Sequence, residues 1–184
     1  MARIRNGKQA VLLVIDVQNG AVASACERAS VLANIKTALD KARQHHIPVI
    51  WVQHNDEDLP RGSEQWQIVK ELDPQDSEPL VEKKYNSAFE DTKLGAILEE
   101  LGATELIITG AATNWCIRAS IYAALERGYD VTLVGDAHTT ESIQFKNGRT
   151  IEAKDLIDEL NIAVSRLSYA GIVNRTVKAA ELEF

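Results

Sequence analysis

The sequence predicts an α/β fold of three layers, in which a six-stranded parallel sheet lies between helices. Short apolar runs rich in β-branched residues alternate with segments whose apolar residues recur at helical intervals. The first run, residues 9–17, is almost continuously apolar, as strands of a parallel sheet are when both of their faces are buried. Strands separated by helices are joined by right-handed crossovers, which favours parallel pairing. The length of 184 residues suits a single domain spanning 1–184.

The remaining elements continue this alternation. Four further apolar runs predict strands, at 49–52, 106–109, 131–134 and 173–177. A strand is also expected to carry Lys83. Helical spacing predicts four helices, at 31–42, 92–101, 116–127 and 151–167. Residues 55–79 are polar and hold three of the four prolines, which indicates a long excursion of the kind that is often functional.

Composition and charge exclude several classes of protein. The formal net charge of −7 argues against a nucleic-acid-binding surface and against an anionic membrane as partner. No apolar stretch approaches the roughly 20 residues of a membrane span. The polar N-terminal segment, residues 1–8, lacks the apolar core of a signal peptide, so we expect a cytoplasmic protein. Cys26 and Cys116 should therefore both be free thiols.

The candidate site lies at the ends of the predicted strands. In open parallel sheets, ligands bind beyond the carboxyl ends of the strands. Asp16, His54, the loop 110–116 and Asp136 each follow a different predicted strand. We expect these residues to converge at one edge of the sheet.

Asp16 and Cys116 are the candidate reactive groups at this edge. A carboxylate at the end of an apolar run is costly unless it is paired, so Asp16 is either a turn residue or a proton acceptor in a partly dry site. Cys116 is predicted to open a helix, where free N–H groups would stabilise its thiolate and could also hold an oxyanion. The alternative is a small buried hydrophobic residue, which is the interpretation that we give to Cys26.

Three further residue types could support such chemistry. If the segment holding Lys83 and Lys84 is a strand, one lysine faces inward, where it would stabilise a neighbouring carboxylate and thiolate; a solvated pair is the alternative. His54 could bind a metal, contact a substrate or close the end of its strand. Trp66 and Trp115 could be pocket walls or simply packing residues.

Five segments, taken together in order, resemble the isochorismatase-like cysteine hydrolases. This superfamily includes nicotinamidases, N-carbamoylsarcosine amidohydrolases, streptothricin hydrolases and isochorismatases. The matching segments are 15–19 (IDVQN), 83–89 (KKYNSAF), 110–117 (GAATNWCI), 128–129 (GY) and 134–137 (VGDA). Their order and spacing match over nearly the whole chain.

The resemblance implies a role for each residue of the site. Asp16, Lys83 and Cys116 correspond to the family's catalytic aspartate, lysine and nucleophile, and Lys83 is chosen over its neighbour because it lies four residues before the Ser-Ala-Phe element. A cis peptide bond is implied between Ala111 and Ala112. The backbone N–H groups of Ala112 and Cys116 would form the oxyanion hole.

The resemblance also implies an activity, with alternatives. The expected reaction is hydrolysis of a small amide or related carbon–nitrogen bond through a thioester, by a homo-oligomer (a dimer or larger) that needs no cofactor. Phenazine-pathway isochorismatases lack the cysteine, and vinyl-ether hydrolysis driven by Asp16 is therefore the second possibility. The third is a non-catalytic relative whose thiol senses oxidants.

Metal binding and substrate contact are the last expectations. Nicotinamidases carry an Asp-x-His metal motif after the second strand, whereas this chain has Gln53-His54-Asn55, and it has no HExxH or His-x-His pattern. We therefore predict no metal site. Four residues are predicted to contact a small-molecule substrate beneath the 55–79 excursion: Gln18, His54, Trp66 and Trp115.

Overall fold

The computed structural model describes residues 8–184, so most of the polar N-terminal segment lies outside the described residues. Six parallel strands form one sheet in the order β3-β2-β1-β4-β5-β8, which confirms the predicted sheet. The strands in chain order are β1 (Gln9–Ile15), β2 (Val49–His54), β3 (Leu80–Lys83), β4 (Ala103–Ala111), β5 (Asp130–Thr139), β6 (Ile143–Gln144), β7 (Thr150–Ile151) and β8 (Asn174–Val177). Strands β6 and β7 pair as a separate antiparallel hairpin that the sequence patterns did not predict.

Helices cover both faces of the sheet and produce the predicted three layers. They are α1 (Arg28–Gln44), α2 (Leu94–Glu100), α3 (Arg118–Glu126) and α4 (Ala153–Arg166). Side chains of β1 alternate between two cores: Leu12 and Val14 pack in the core that holds α1, and Val11, Leu13 and Ile15 pack in the core that holds α2, α3 and α4. Within residues 8–184, no helix is long and apolar enough to cross a membrane.

Two boundaries differ from prediction in ways that affect the site. The α-helix predicted to begin at Cys116 begins at Arg118 instead. Strand β5 was predicted to end at Val134 but continues to Thr139, with an irregularity in its pairing to β4 near Gly110. The apolar run of β5 stops several residues before its backbone hydrogen bonding to β4 stops. Hydrophobicity alone therefore predicts the end of the strand too early.

The 55–79 excursion folds back over the end of β1. The N–H of Val69 donates to the carbonyl of Val17 at 3.1 Å, and the N–H of Gly20 donates to the carbonyl of Gln65 at 2.9 Å. Val69 is fully buried. The excursion therefore forms part of the wall at the carboxyl edge of the sheet.

Candidate active site

The ends of β1 and β4 approach each other closely enough to place Asp16 beside the turn that carries Cys116. Asp16 has a left-handed backbone, with φ of 51°, and its N–H donates to the carbonyl of Val52 at 2.8 Å. Gly110 has φ of +119°, and a Cβ at this position would lie 1.9 Å from the carbonyl oxygen of Ile15. Only glycine permits this approach of the two backbones.

The turn after β4 presents Cys116. The Ala111–Ala112 peptide bond is cis, as the resemblance implied. Residues Thr113–Ile117 form a single π-helical turn in which the N–H of Ile117 donates to the carbonyl of Ala112 at 3.2 Å. The prediction that Cys116 opens an α-helix is therefore wrong, because an i to i+5 hydrogen bond widens the chain before α3 begins. Such π turns occur frequently at functional sites.

The Lys83 ammonium lies at the centre of the site. Its Nζ is 2.6 Å from Oδ2 of Asp16, 3.2 Å from Sγ of Cys116 and 3.0 Å from Nδ1 of His54. The contact with Asp16 is a buried ion pair, whereas the contacts with the sulfur and with His54 are hydrogen bonds. Lys83 is buried whereas Lys84 is exposed, as strand alternation requires. The structure thus brings together all three residues of the predicted triad.

The buried setting keeps the Cys116 thiol protonated at rest. Burial raises the pKa of Cys116 from 9.0 to about 12; the negative charge of Asp16 acts in the same direction, and the charge of Lys83 opposes this. The expectation of a stabilised thiolate at a helix N-terminus is therefore wrong for the resting site. The arrangement instead places a neutral thiol beside a carboxylate and an ammonium, so ionisation of the thiol requires transfer of its proton to a base.

Asp16, His54 and Cys116 also form a group of potential metal ligands whose ligand atoms lie within 4.8 Å of one another. The Lys83 ammonium already lies within 3.2 Å of an atom of each of them. A metal ion among these ligands would have to displace or repel a buried cation. Metal-independent turnover stays a prediction, and this geometry favours it.

Gln18 bridges the strand ends. It is fully buried, and its Nε2 donates to the carbonyls of His54 and Trp66, both at 2.9 Å. Its Oε1 accepts from the N–H of His54 at 2.8 Å. A substrate contact by Gln18 stays a prediction; the role that the structure shows is to hold the end of β2 against the excursion.

His54 has protein partners at both ring nitrogens. Its Nδ1 faces Lys83, and its Nε2 lies 3.0 Å from Oδ2 of Asp56. Its contact with substrate also stays a prediction. The sequence interpretation missed Asp56, for which the signal was a carboxylate two residues after a histidine at a strand end. It also missed Asn86, whose Oδ1 is 4.0 Å from Sγ of Cys116.

A cavity of about 450 Å³ lies beside the turn and is lined by Ala112, Trp115, Glu141 and Ile143 among others. Trp115 is 57% exposed, so its ring is available as a wall of this cavity. Trp66 does not line this cavity. Its carbonyl accepts hydrogen bonds from two buried glutamine side chains, which ties it to the end of β2.

Asp136 does not join the triad, and the prediction that it converges there is wrong. Because β5 continues beyond it, Asp136 lies within the strand, where its Oδ1 accepts from the N–H of Ala179 at 2.8 Å. It lines a separate cavity of about 520 Å³ together with Asn34, His138 and Asn161, and none of the triad residues lines that cavity.

Comparisons with known proteins identify the family of the chain. Residues 10–154 match the Isochorismatase domain model. The chain is 34% identical over 161 residues to a streptothricin hydrolase from Streptomyces noursei, a match that covers 84% of this chain and 55% of that protein. It is 32% identical to nicotinamidase 3 of Arabidopsis thaliana, over 73% of this chain and 75% of that protein. The chain thus spans only about half of the streptothricin hydrolase.

The fold agrees as well. The crystal structure of an isochorismatase from Pseudomonas putida KT2440 superposes with a TM-score of 0.84 at 29% identity, covering 95% of this chain and 90% of that one. The family model covers most of the chain, and its matched range includes Asp16, Lys83 and Cys116. The chain therefore belongs to the isochorismatase family.

Proposed function

We propose that this protein is a cysteine hydrolase that cleaves a small amide or related carbon–nitrogen bond through a Cys116-Asp16-Lys83 triad. One observation carries the proposal: a single buried ammonium, Lys83, contacts both the Asp16 carboxylate and the Cys116 sulfur. A buried ion pair beside a thiol is costly to maintain for structural purposes alone. The similarity to proteins named streptothricin hydrolase and nicotinamidase supports amide chemistry.

The reaction follows from the protonation states of the resting site. Asp16 takes the proton of the Cys116 thiol as the sulfur attacks the substrate carbonyl carbon. Lys83 stabilises the negative charge as it moves from carboxylate to sulfur. The raised pKa of Cys116 means that a thiolate does not accumulate before substrate binds, so proton transfer and attack are coupled.

Attack of the sulfur on the carbonyl carbon gives a tetrahedral intermediate with a negatively charged oxygen. Its oxyanion would accept hydrogen bonds from the backbone N–H groups of Ala112 and Cys116. The C–N bond breaks, and the leaving amine takes the proton that Asp16 holds. Asp16 next removes a proton from water, which attacks the thioester carbon, and the acid product leaves as the thiol regains its proton. We place the rest of the substrate in the cavity beside Ala112 and Trp115, which adjoins the turn that carries Cys116 although Asp16, Lys83 and Cys116 do not themselves line it.

The test is a screen for ammonia or amine release over a panel of primary amides, ureido acids and lactams. Cys116→Ala should lose all turnover of any substrate found, because the variant has no sulfur to form the thioester. Cys26→Ala is the matched control and should keep full turnover. A mass increase equal to the acyl group on the native chain, absent in Cys116→Ala, would identify the thioester. Full activity in Cys116→Ala would overturn the covalent mechanism.

The two alternatives predict different outcomes of the same experiment. Vinyl-ether hydrolysis needs Asp16 as a proton donor, whereas in the structure its Oδ2 lies 2.6 Å from the Lys83 ammonium. That reaction would survive Cys116→Ala and be lost in Asp16→Asn. A thiol sensor of oxidants works best with a low pKa, whereas burial raises the pKa of Cys116. Selective oxidation of Cys116 by peroxide without turnover of any amide would favour the sensor.

We also propose that turnover needs no metal. Treatment with a chelator followed by gel filtration should leave activity unchanged, because the Lys83 ammonium supplies the positive charge of the site. Activity lost to the chelator and restored by zinc or iron would contradict this.

A further inference from the structure

The position of the proton on the His54 ring is set by the carboxylate of Asp56. Oδ1 of Asp56 accepts from the N–H groups of Asp58 and Leu59, at 3.0 and 2.8 Å, which fixes the direction of the carboxylate. Its other oxygen, Oδ2, lies 3.0 Å from Nε2 of His54. A carboxylate only accepts hydrogen bonds, so Nε2 of His54 carries a proton. Partial burial acts to raise the pKa of Asp56, but the hydrogen bonds from the backbone N–H groups of Leu59 and Asp58 act to lower it.

The opposite ring nitrogen then has only one role open to it. Nδ1 of His54 lies 3.0 Å from Nζ of Lys83, and an ammonium group only donates. Nδ1 must therefore offer a lone pair, and His54 is the neutral tautomer with its proton on Nε2. The backbone supports this placement, because His54 and Lys83 are paired residues of adjacent parallel strands.

We infer that Asp56 and His54 are positioning residues that orient the Lys83 ammonium toward Cys116 and Asp16. The hydrogen bond to His54 holds the ammonium on one side, so that it stays in hydrogen-bond contact with the sulfur and in its ion pair with the carboxylate. This inference rests on the proposed function only in taking Cys116 as the nucleophile. It gives His54 a role that differs from substrate contact.

Replacing one oxygen of Asp56 by nitrogen should move the His54 proton from Nε2 to Nδ1. In Asp56→Asn the amide oxygen can still accept from Asp58 and Leu59, so the local turn is kept. The amide nitrogen replaces Oδ2 and donates to Nε2 of His54, which moves the histidine proton to Nδ1. That N–H would face the Lys83 ammonium and repel it. The same substitution at Asp58, whose side chain has no part in this chain of hydrogen bonds, is the matched control.

The experiment measures alkylation of Cys116 by iodoacetamide at fixed pH, followed by intact mass, in a Cys26→Ala background. This readout needs no substrate. Asp56→Asn should slow alkylation about tenfold, the effect of losing one hydrogen bond to a charged group. Asp58→Asn should match the parent. Once a substrate is known, Asp56→Asn should lower kcat and leave KM nearly unchanged, because substrate binding is not affected.

A double-mutant cycle separates positioning from a merely structural role. His54→Asn places an amide oxygen near the position of Nδ1 and should retain much of the alkylation rate, whereas His54→Leu should not. Because asparagine has no tautomers, Asp56→Asn should add little in the His54→Asn background.

Two results would overturn the inference. The first is an alkylation rate of Asp56→Asn that equals the rate of Asp58→Asn. The second is that Asp56→Asn slows alkylation by the same factor in the parent and in the His54→Asn background. Failure of the proposed function has a different signature, since the alkylation rates would follow the predicted order while no amide is hydrolysed.

Discussion

Two groups of buried and partly buried polar side chains lie near the carboxyl ends of neighbouring strands, and they differ in charge. The Lys83 cluster consists of Asp16, His54, Lys83 and Cys116 and contains an ion pair. The His138 cluster consists of Thr113, His138 and Asn161. In it, Nδ1 of His138 is 2.9 Å from Oγ1 of Thr113, and Nε2 is 3.0 Å from Oδ1 of Asn161.

The His138 cluster avoids charge altogether. Burial lowers the pKa of His138 to about 4, although the hydrogen bond to Asn161 acts to raise it. Nδ2 of Asn161 donates to the carbonyl of Gly135, so its Oδ1 faces the histidine, which again carries its proton on Nε2. The neutral His138 cluster supports the turn that begins at Thr113. The charged Lys83 cluster surrounds the thiol of Cys116, which the same turn carries. Of these two clusters, only the one that contains the thiol holds buried charge.

The largest expected effect comes from breaking the charged cluster. Lys83→Met should reduce turnover about 100-fold, because the ammonium no longer stabilises the developing thiolate. It should also lower the free energy of unfolding by about 3 kcal/mol, since the Asp16 carboxylate is left buried and unpaired. Lys84→Met is the matched control and should change neither quantity appreciably. Equal effects of the two substitutions, in urea unfolding and in turnover, would contradict the role given to Lys83.

The neutral His138 cluster should affect how the free energy of unfolding depends on pH. His138 has a native pKa of about 4 against an ordinary value of 6.5, so the unfolded chain binds its proton first as pH falls. Its contribution to stability is present above pH 6.5 and is lost between 6.5 and about 4, by up to about 3 kcal/mol. Urea unfolding of His138→Gln across this range should show a shallower decline than the native chain. Parallel declines would show that His138 is not held neutral by burial.

A smaller effect should follow from removing the hydroxyl that reaches His138. Thr113→Val keeps the shape of this buried side chain but leaves Nδ1 of His138 without its donor. The free energy of unfolding should fall by about 1 kcal/mol, the usual size of one neutral hydrogen bond. Thr37→Val should cost less, because Thr37 is only partly buried on α1 and its hydroxyl donates to the carbonyl of Ala33 within the same helix. If the two variants unfold at the same urea concentration, the bracing of the turn by His138 is not significant.

The sequence was sufficient for those features that depend on local pattern. Continuous apolar runs located the central strands, and the rule that ligands bind at strand ends selected Asp16 and His54 from the order of residues alone. Strand alternation required one inward lysine, but the choice of Lys83 came from its distance to the Ser-Ala-Phe element. Hydrophobicity could not separate the two lysines, because both are equally polar.

Other features depend on contacts between distant parts of the chain. The π-helical turn at Cys116 and the extension of β5 past Asp136 are set by backbone hydrogen bonds that side-chain pattern does not encode. The protonation state of the thiol depends on burial next to Asp16, which overrode the expected influence of a helix N-terminus. The role of Asp56 depends on the partners of both nitrogens of His54, one of which lies on a neighbouring strand.

The most direct test of the central claim, that Lys83 and Asp16 act on the Cys116 thiol in opposite directions, is the pH dependence of its alkylation. Iodoacetamide rates would be measured across the alkaline range in a Cys26→Ala background, for the parent, Asp16→Asn and Lys83→Met. Removing the Asp16 charge should lower the apparent pKa of Cys116, even though turnover is lost with the base. Removing the Lys83 charge should raise the apparent pKa and slow alkylation at every pH below that pKa, because less thiolate is present. Shifts in the same direction, or no shift in either variant, would contradict the account.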